Sequence, residues 1–241
     1  RSAHALVRLT DGSAVRAKLV IGADGRGSPV RKSANIDVKT TRYGQKAITF
    51  AVTHDAPHNN ISTEVHRAGG PFTLVPLPDL AGKPCSAVVW MQMGPVVQDL
   101  MTLTDAAFSA AATDRSAGTY GPLTLASKRS VWPIISQCAS TLTAARTALV
   151  AEAAHVVPPI GAQGLNMSLA DLACLLDLAK THVGDLGGRT MLDAYQKARH
   201  GDIRLRVNGI DALNRASIAG NPAVQDLRAA GIKALYGAAP I

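Results

Sequence analysis

The sequence predicts a mixed α/β (α+β) fold, with alternating extended and helical pieces at both ends, an antiparallel β-sheet between them and helices at the C-terminus. Three observations carry this. First, 241 residues with 47% hydrophobic content and a mean hydropathy of +0.11 are enough to bury a sizeable core, and they exclude a disordered or collagen-like chain. Second, from Tyr43 to Gln92 short apolar runs recur between clusters of Pro, Gly and Asn, the pattern of an antiparallel sheet. Third, the last ninety or so residues change to a helical apolar period.

Taken in order, Ala5–Leu9 alternates, Asp11-Gly12 supplies a turn, and Ala14–Ile21 returns as a second run, together a hairpin. The second run breaks at Gly22-Ala23-Asp24-Gly25, and a short helix starts at Ser28-Pro29, a good N-cap followed by a first-turn proline. Strands are expected at Ala47–Thr53, Ile61–Arg67, Phe72–Leu77 and Ser86–Met91. Helices follow at Val96–Met101 and Asp105–Asp114, then extended chain at Leu123–Val131 and a short apolar run at Arg146–Val150. Leu165, Leu169, Leu172, Leu176 and Ala179 are spaced four, three, four and three, one apolar stripe of an α-helix. Further helices are expected at Thr190–Ala216 and Val224–Tyr236.

With only 4% aromatic residues, the core is expected to be Ala, Leu, Val and Ile. No apolar run is long enough to span a membrane. Cys85, Cys138 and Cys174 lie far apart with no CxxC, poor material for disulfides or zinc and suited to a reducing cytoplasm. The charge is uneven: residues 1–46 carry ten Lys/Arg against three Asp, so +7 of the formal +8 lies there. Such a segment can meet a phosphate-bearing cofactor or an anionic membrane face, or be a solvated surface. Without an aromatic platform, zinc knuckle or helix-turn-helix punctuation, no nucleic-acid partner is expected.

Two segments carry chemistry. Asp24-Gly25-Arg26-Gly27-Ser28-Pro29-Val30-Arg31 has the form DGxxSxxR directly after an apolar strand. A strand end leading into a helix N-terminus favours anions, with Asp24 placed to accept from sugar hydroxyls and Arg31 to face a phosphate. The same octet also reads as an Asx-type turn capping a helix, with Arg31 in a surface ion pair. The second segment runs from Ala151-Glu152-Ala153-Ala154-His155 through Val156-Val157-Pro158-Pro159 to Ile160-Gly161-Ala162-Gln163-Gly164-Leu165-Asn166. A carboxylate ends a strand, two prolines stiffen a loop, and two glycines allow close approach to a helix N-terminus carrying about half a positive charge. This suits a planar ring that becomes anionic on reduction. His155 reads as a satisfied buried residue. Trp90, Met91 and Met93 read either as β-core or as the lining of a substrate face.

Together these segments resemble the two FAD fingerprints of the class A flavoprotein monooxygenases, the fold group of 4-hydroxybenzoate hydroxylase. Tyr43-Gly44-Gln45-Lys46-Ala47-Ile48, Gly70-Pro71, Leu77-Pro78 and Leu192-x-x-Tyr195-x-x-x-Arg199 are similar to the ubiquinone-biosynthesis hydroxylases, nearest to the 2-octaprenyl-6-methoxyphenol hydroxylase type. The resemblance implies an FAD-binding Rossmann-like domain, incomplete here, in 1–42 and 147–185. It further implies an inserted β-rich substrate domain in 43–146 and C-terminal helices in 186–241.

By resemblance, Asp24, Gly25 and Arg31 hold the ribose and pyrophosphate side, and Glu152 takes the ribityl contact usual for Asp. Gly161, Gln163, Gly164, Leu165 and Asn166 meet the flavin ring edge, with backbone N–H groups offered at Leu165 and Asn166. The carbonyl of Pro159 points toward substrate. No side-chain nucleophile and no metal ligand is implied. The implied chemistry is reduction of FAD by NAD(P)H, capture of O2 as a C4a-hydroperoxide, and hydroxylation of a small-molecule aromatic substrate, a prenylated phenol of the ubiquinone pathway. Implied settings are the cytoplasm, a peripheral place at the inner membrane, contact with a quinone-synthesis complex, and a homodimer.

Ala151 and Glu152 depart from the family's Gly and Asp. No GxGxxG turn or initiator Met precedes Arg1, so the chain is expected to begin inside a longer protein and to be inactive and retain little FAD by itself. Two alternatives stay open: another FAD-dependent oxidoreductase of this fold, and a flavin-free fragment with a scaffold role in a quinone-synthesis complex.

Overall fold

The computed structural model describes residues 3–218. In chain order the elements are β1 (Ala5–Arg8), β2 (Ala14–Ala17), β3 (Val20–Gly22), α1 (Pro29–Ser33), β4 (Val38–Thr53), β5 (Thr63–Arg67), β6 (Gly70–Leu80) and β7 (Lys83–Met93). Then come α2 (Gly94–Thr102), α3 (Asp105–Arg115), β8 (Thr124–Leu125), β9 (Ser130–Ala139), β10 (Thr143–Ala144), β11 (Thr147–Leu149), β12 (His155–Val156), α4 (Gln163–Thr181) and α5 (Arg189–Ile218). They form two units, one from the described residues up to Thr41 with Ile135–Ala212, the other from Arg42–Ile134 with the described residues from Leu213.

In the first unit, β1 and β2 pair antiparallel, Ala5 opposite Ala17 and Arg8 opposite Ala14. Asp11 Oδ1 closes the turn by accepting from the Ser13 backbone and hydroxyl at 2.9 and 2.7 Å, and Gly12 takes the left-handed φ of +85° that the turn requires. The expected second strand does not run on to Ile21. It stops at Ala17, and Val20–Gly22 pairs instead in parallel with β11, Val20 opposite Thr147 and Gly22 opposite Leu149, while β10 pairs antiparallel on the far side. The core beneath is aliphatic apart from Tyr195: Leu142, Ala148, Leu149, Met167, Met191 and Ile203 are fully enclosed. α4 and α5 form as expected. On α4, however, the leucine stripe is the outer face, with Leu165, Leu169, Leu172 and Leu176 exposed by 69, 53, 49 and 57%. Met167, Asp171 and Leu175, one turn apart, are what this helix buries.

In the second unit β5, β6, β7 and β4 follow one another as antiparallel neighbours, and β8 adds two residues to β4. Register brings Ile48 and Phe72 onto either side of Trp90, and Phe50 and Leu74 onto either side of Val88. Thr104 caps α3 by accepting from the Ala107 N–H at 3.3 Å, and Phe108 on that helix meets Phe50 edge-on at 4.9 Å. All three phenylalanines of the chain therefore share one cluster, so the aliphatic core expected from composition holds for the first unit and not for the second. Trp90 and Met91 are 4% and 0% exposed, which makes them β-core.

One further expectation is corrected. Leu123–Val131 is not one strand: only Thr124–Leu125 bridges to β4, and a ten-residue strand, β9, begins at Ser130. The helix expected at Val224–Tyr236 lies outside the described residues. No helix among the described residues is long and apolar enough to cross a membrane.

Candidate functional site

The parallel pair β3 and β11 places the two motif loops side by side. The Val150 N–H donates to the Gly22 carbonyl at 3.0 Å, so both chains leave the sheet at the same end, one into Asp24 and the other into Glu152. In parallel α/β sheets ligands gather outside the carboxyl ends of the strands. The first loop is built by Asp24. Its Oδ1 accepts from the Ser28 hydroxyl and its Oδ2 from the Val30 N–H at 2.9 Å, while Ser28 Oγ accepts from the Arg31 N–H at 2.9 Å. Partial burial alone would raise the Asp24 carboxyl. The hydrogen bonds from Ser28 and Val30 and the nearby Arg31 outweigh it and hold the group below the usual carboxylate range.

Arg31 is neither in a surface ion pair nor turned outward to a phosphate. It is buried, and its guanidinium donates to the carbonyls of Ala153 at 2.7 Å and Arg26 at 2.9 Å. The first contact crosses 122 residues of sequence and fastens the DGxxSxxR loop to the 3-10 turn Ala151–Ala153 that carries Glu152. Behind that turn lies Asp171, fully buried. It accepts from His155 Nε2 at 2.7 Å, Arg199 Nε at 2.9 Å and the Ala151 N–H at 3.1 Å. Tyr195 donates its hydroxyl to the Leu149 carbonyl at 2.9 Å, and burial pushes its phenol far above the ordinary range. His155 is thus a satisfied core residue, as its sequence context implied.

The Glu152 side chain is exposed and has no hydrogen-bond partner among the described residues. Beside it a cleft of about 290 Å³ is lined by Glu152, His155, Val156, Val157, Gly164, Leu165 and Ser168. α4 opens onto this cleft with Ala162 left-handed at φ +52°, no side-chain cap and no acidic residue in its first turn. Its leading N–H groups are therefore free to meet an anion. Gly161, at φ +65°, adopts a conformation suited to glycine, and a Cβ on Gly164 would point into the cleft in ordinary contact with Val157 at 3.9 Å. Pro158 accepts from the Ile160 N–H at 2.8 Å, whereas the Pro159 carbonyl has no partner among the described residues. A free carboxylate, an uncapped helix start and a cleft walled by Val156, Val157 and Gly164 fit the ribityl and ring portions of a flavin.

Asp24 and Gly25 thus lie in one loop, which Arg31 fastens to the turn carrying Glu152, while Pro159 and Gly161 lie in the loop that leads into Gln163, Gly164, Leu165 and Asn166, the first turn of α4. Gln163 is partly engaged elsewhere, its Oε1 accepting from Arg206 at 3.2 Å. Sequence reasoning missed Asp171. The available signal was an acid midway between Met167 and Leu175, four residues from each and so on one helix face with them, together with the Arg199 of a motif already singled out.

Known proteins share the family and the fold. The FAD binding domain family matches residues 2–207. Ubiquinone hydroxylase UbiL of Rhodospirillum rubrum is 36% identical over 210 residues, covering 86% of this chain and 48% of that protein. Ubiquinone biosynthesis monooxygenase COQ6 of Xenopus tropicalis is 28% identical, covering 98% of this chain and 58% of its own length. The chain spans about half the length of the curated relatives it matches. Among solved structures PqsL of Pseudomonas aeruginosa, a probable FAD-dependent monooxygenase, superposes with a TM-score of 0.72 at 24% identity, covering 92% of this chain and 62% of that one. At that identity the likeness concerns the fold.

Proposed function

The chain belongs to the FAD binding domain family, and from that premise we propose that it forms the flavin-ring side of an FAD-dependent monooxygenase that hydroxylates an aromatic substrate. The finer reading is a prenylated phenol of ubiquinone synthesis as substrate, with NAD(P)H and O2 as co-substrates. In this reading 1–42 and 147–185 serve FAD, 43–146 faces substrate and 186–241 supplies C-terminal helices. The enzyme works in the cytoplasm, peripherally at the inner membrane.

The observation that carries the proposal is the Glu152 turn. A turn whose backbone is held by Arg31 and Asp171 presents a free carboxylate beside the uncapped start of α4, at the carboxyl end of a parallel strand pair. A bound FAD supplies two-electron transfer from NAD(P)H and activation of O2. On the flavin-ring side the following roles fall to residues of this chain. Glu152 accepts from a polyol hydroxyl, a charged hydrogen bond worth about 1.5–3 kcal/mol. The N–H groups of Leu165 and Asn166 and the helix dipole favour negative charge at the ring edge. Val156 and Val157 line the cleft with apolar surface that excludes water, and the Pro159 carbonyl orients the phenol.

The test is product analysis. Complete protein supplied with NAD(P)H, O2 and a prenylated phenol yields hydroxylated phenol in proportion to NAD(P)H consumed. Oxidation that produces only peroxide across a panel of phenols would overturn the hydroxylase reading.

A further inference from the structure

A second cavity in the first unit, about 290 Å³, lies between the start of β4, the end of β9 and the His200–Asn208 stretch of α5, and none of its lining residues belongs to the Asp24 or Glu152 loops. We propose that this cavity binds a phosphate group, presented either by a soluble phosphate ester or by a phospholipid headgroup.

Its polar lining is Lys39, Ser140, His200, Arg204 and Asn208. His200, Arg204 and Asn208 are four residues apart along α5 and so share one face. Lys39 comes from β4 and Ser140 follows β9. Neither the Lys39 nor the Arg204 side chain has a hydrogen bond or ion pair among the described residues. The arginines beside Arg204 on the same helix are neutralised: Arg199 and Arg206 both bond Asp202, at 2.6 and 2.9 Å. The carboxylate of that stretch is therefore taken, and two cations facing one cavity are left without a counter-charge. The Cys138 thiol on the cavity wall reports the same field. Burial pushes it up, Arg204 and Lys39 pull it back, and no acidic group enters the balance.

The donors also match a tetrahedral oxyanion better than a planar one. An ammonium from one element, a guanidinium from another, a hydroxyl and an amide approach from several directions, whereas a carboxylate is satisfied by one arginine fork. His200 Nε2 donates to the Ala139 carbonyl at 3.3 Å, which fixes the ring at the edge of the cavity. Val207 and Ala139 add apolar surface for a carbon stem. The site does not rest on the flavin reading and would stand if that reading failed.

The test compares wild-type protein with Lys39→Gln and Arg204→Gln, both at exposed positions, and with Arg189→Gln, which removes the same charge elsewhere on α5. Thermal melting checks that all four are folded. Glycerol 3-phosphate is titrated calorimetrically, and flotation is measured with phosphatidylcholine vesicles with and without phosphatidylglycerol. The expected result is binding weakened about tenfold by either cavity substitution and unchanged by Arg189→Gln, consistent with loss of one charge-assisted hydrogen bond. Binding of glycerol 3-phosphate identifies a soluble ester, and binding of phosphatidylglycerol vesicles alone identifies a headgroup. No binding of either probe, or equal loss in all three variants, overturns the site.

Discussion

Ala151 holds a left-handed φ of +53° where the related fingerprint has glycine, and its N–H is anchored on the buried Asp171 at 3.1 Å. For a residue with a Cβ this conformation costs about 1–2 kcal/mol. The turn nevertheless persists because Asp171 holds it from behind and Arg31 from the side, through the Ala153 carbonyl. Ala151→Gly is therefore expected to stabilise the protein by about 0.5–1 kcal/mol, after allowing for the glycine's greater freedom when unfolded. For a chain of this length that is a rise of roughly 1–4 °C in Tm, readable by thermal denaturation. A fall in Tm would show that the turn is not strained. At this scale the sequence exposed the departure at Ala151 but not its cause. A side chain's direction is set by tertiary partners, and so Arg31 reads as an anion ligand until it is seen donating to two carbonyls.

α4 shows the same boundary at the scale of an element. Spacing of four and three identifies a helix but does not say which side is inward. Its leucine-rich side faces outward, and the packed side carries Met167, Asp171 and Leu175. Replacing Leu169 and Leu172 together with Lys is expected to change unfolding free energy by less than about 0.5 kcal/mol, as for exposed positions generally. Leu175→Ala, at 4% exposure, is expected to cost about 2–5 kcal/mol. Denaturant titration of the two variants distinguishes them, and the reverse order would place the helix the other way round. The strands divide similarly. The alternation of Ile48, Phe50 and Val52 made β4 legible because one face is buried. β9 was not legible because Pro133 and four exposed leading residues hide its period. β3 was merged with β2 because parallel pairing to β11 leaves no local mark.

At the scale of the molecule, the readable features were those in which residue type itself carries the constraint: the glycines and prolines around the second loop, the Ser-Pro start of α1, and the paired fingerprints. What the sequence left open was their convergence, which depends on β3 and β11 lying parallel and on a hydrogen bond spanning 122 residues. The account stands on the start of α4 and the Glu152 turn together receiving a flavin. The most direct measurement is equilibrium binding of FAD to the complete protein, compared with Glu152→Gln and Gly164→Leu under conditions where all three melt alike. Loss of the charged acceptor is predicted to weaken binding about tenfold or more, and a side chain filling the cleft roughly a hundredfold, about 2.7 kcal/mol. If both variants held FAD as tightly as the unaltered protein, the flavin would lie elsewhere and the account would be wrong.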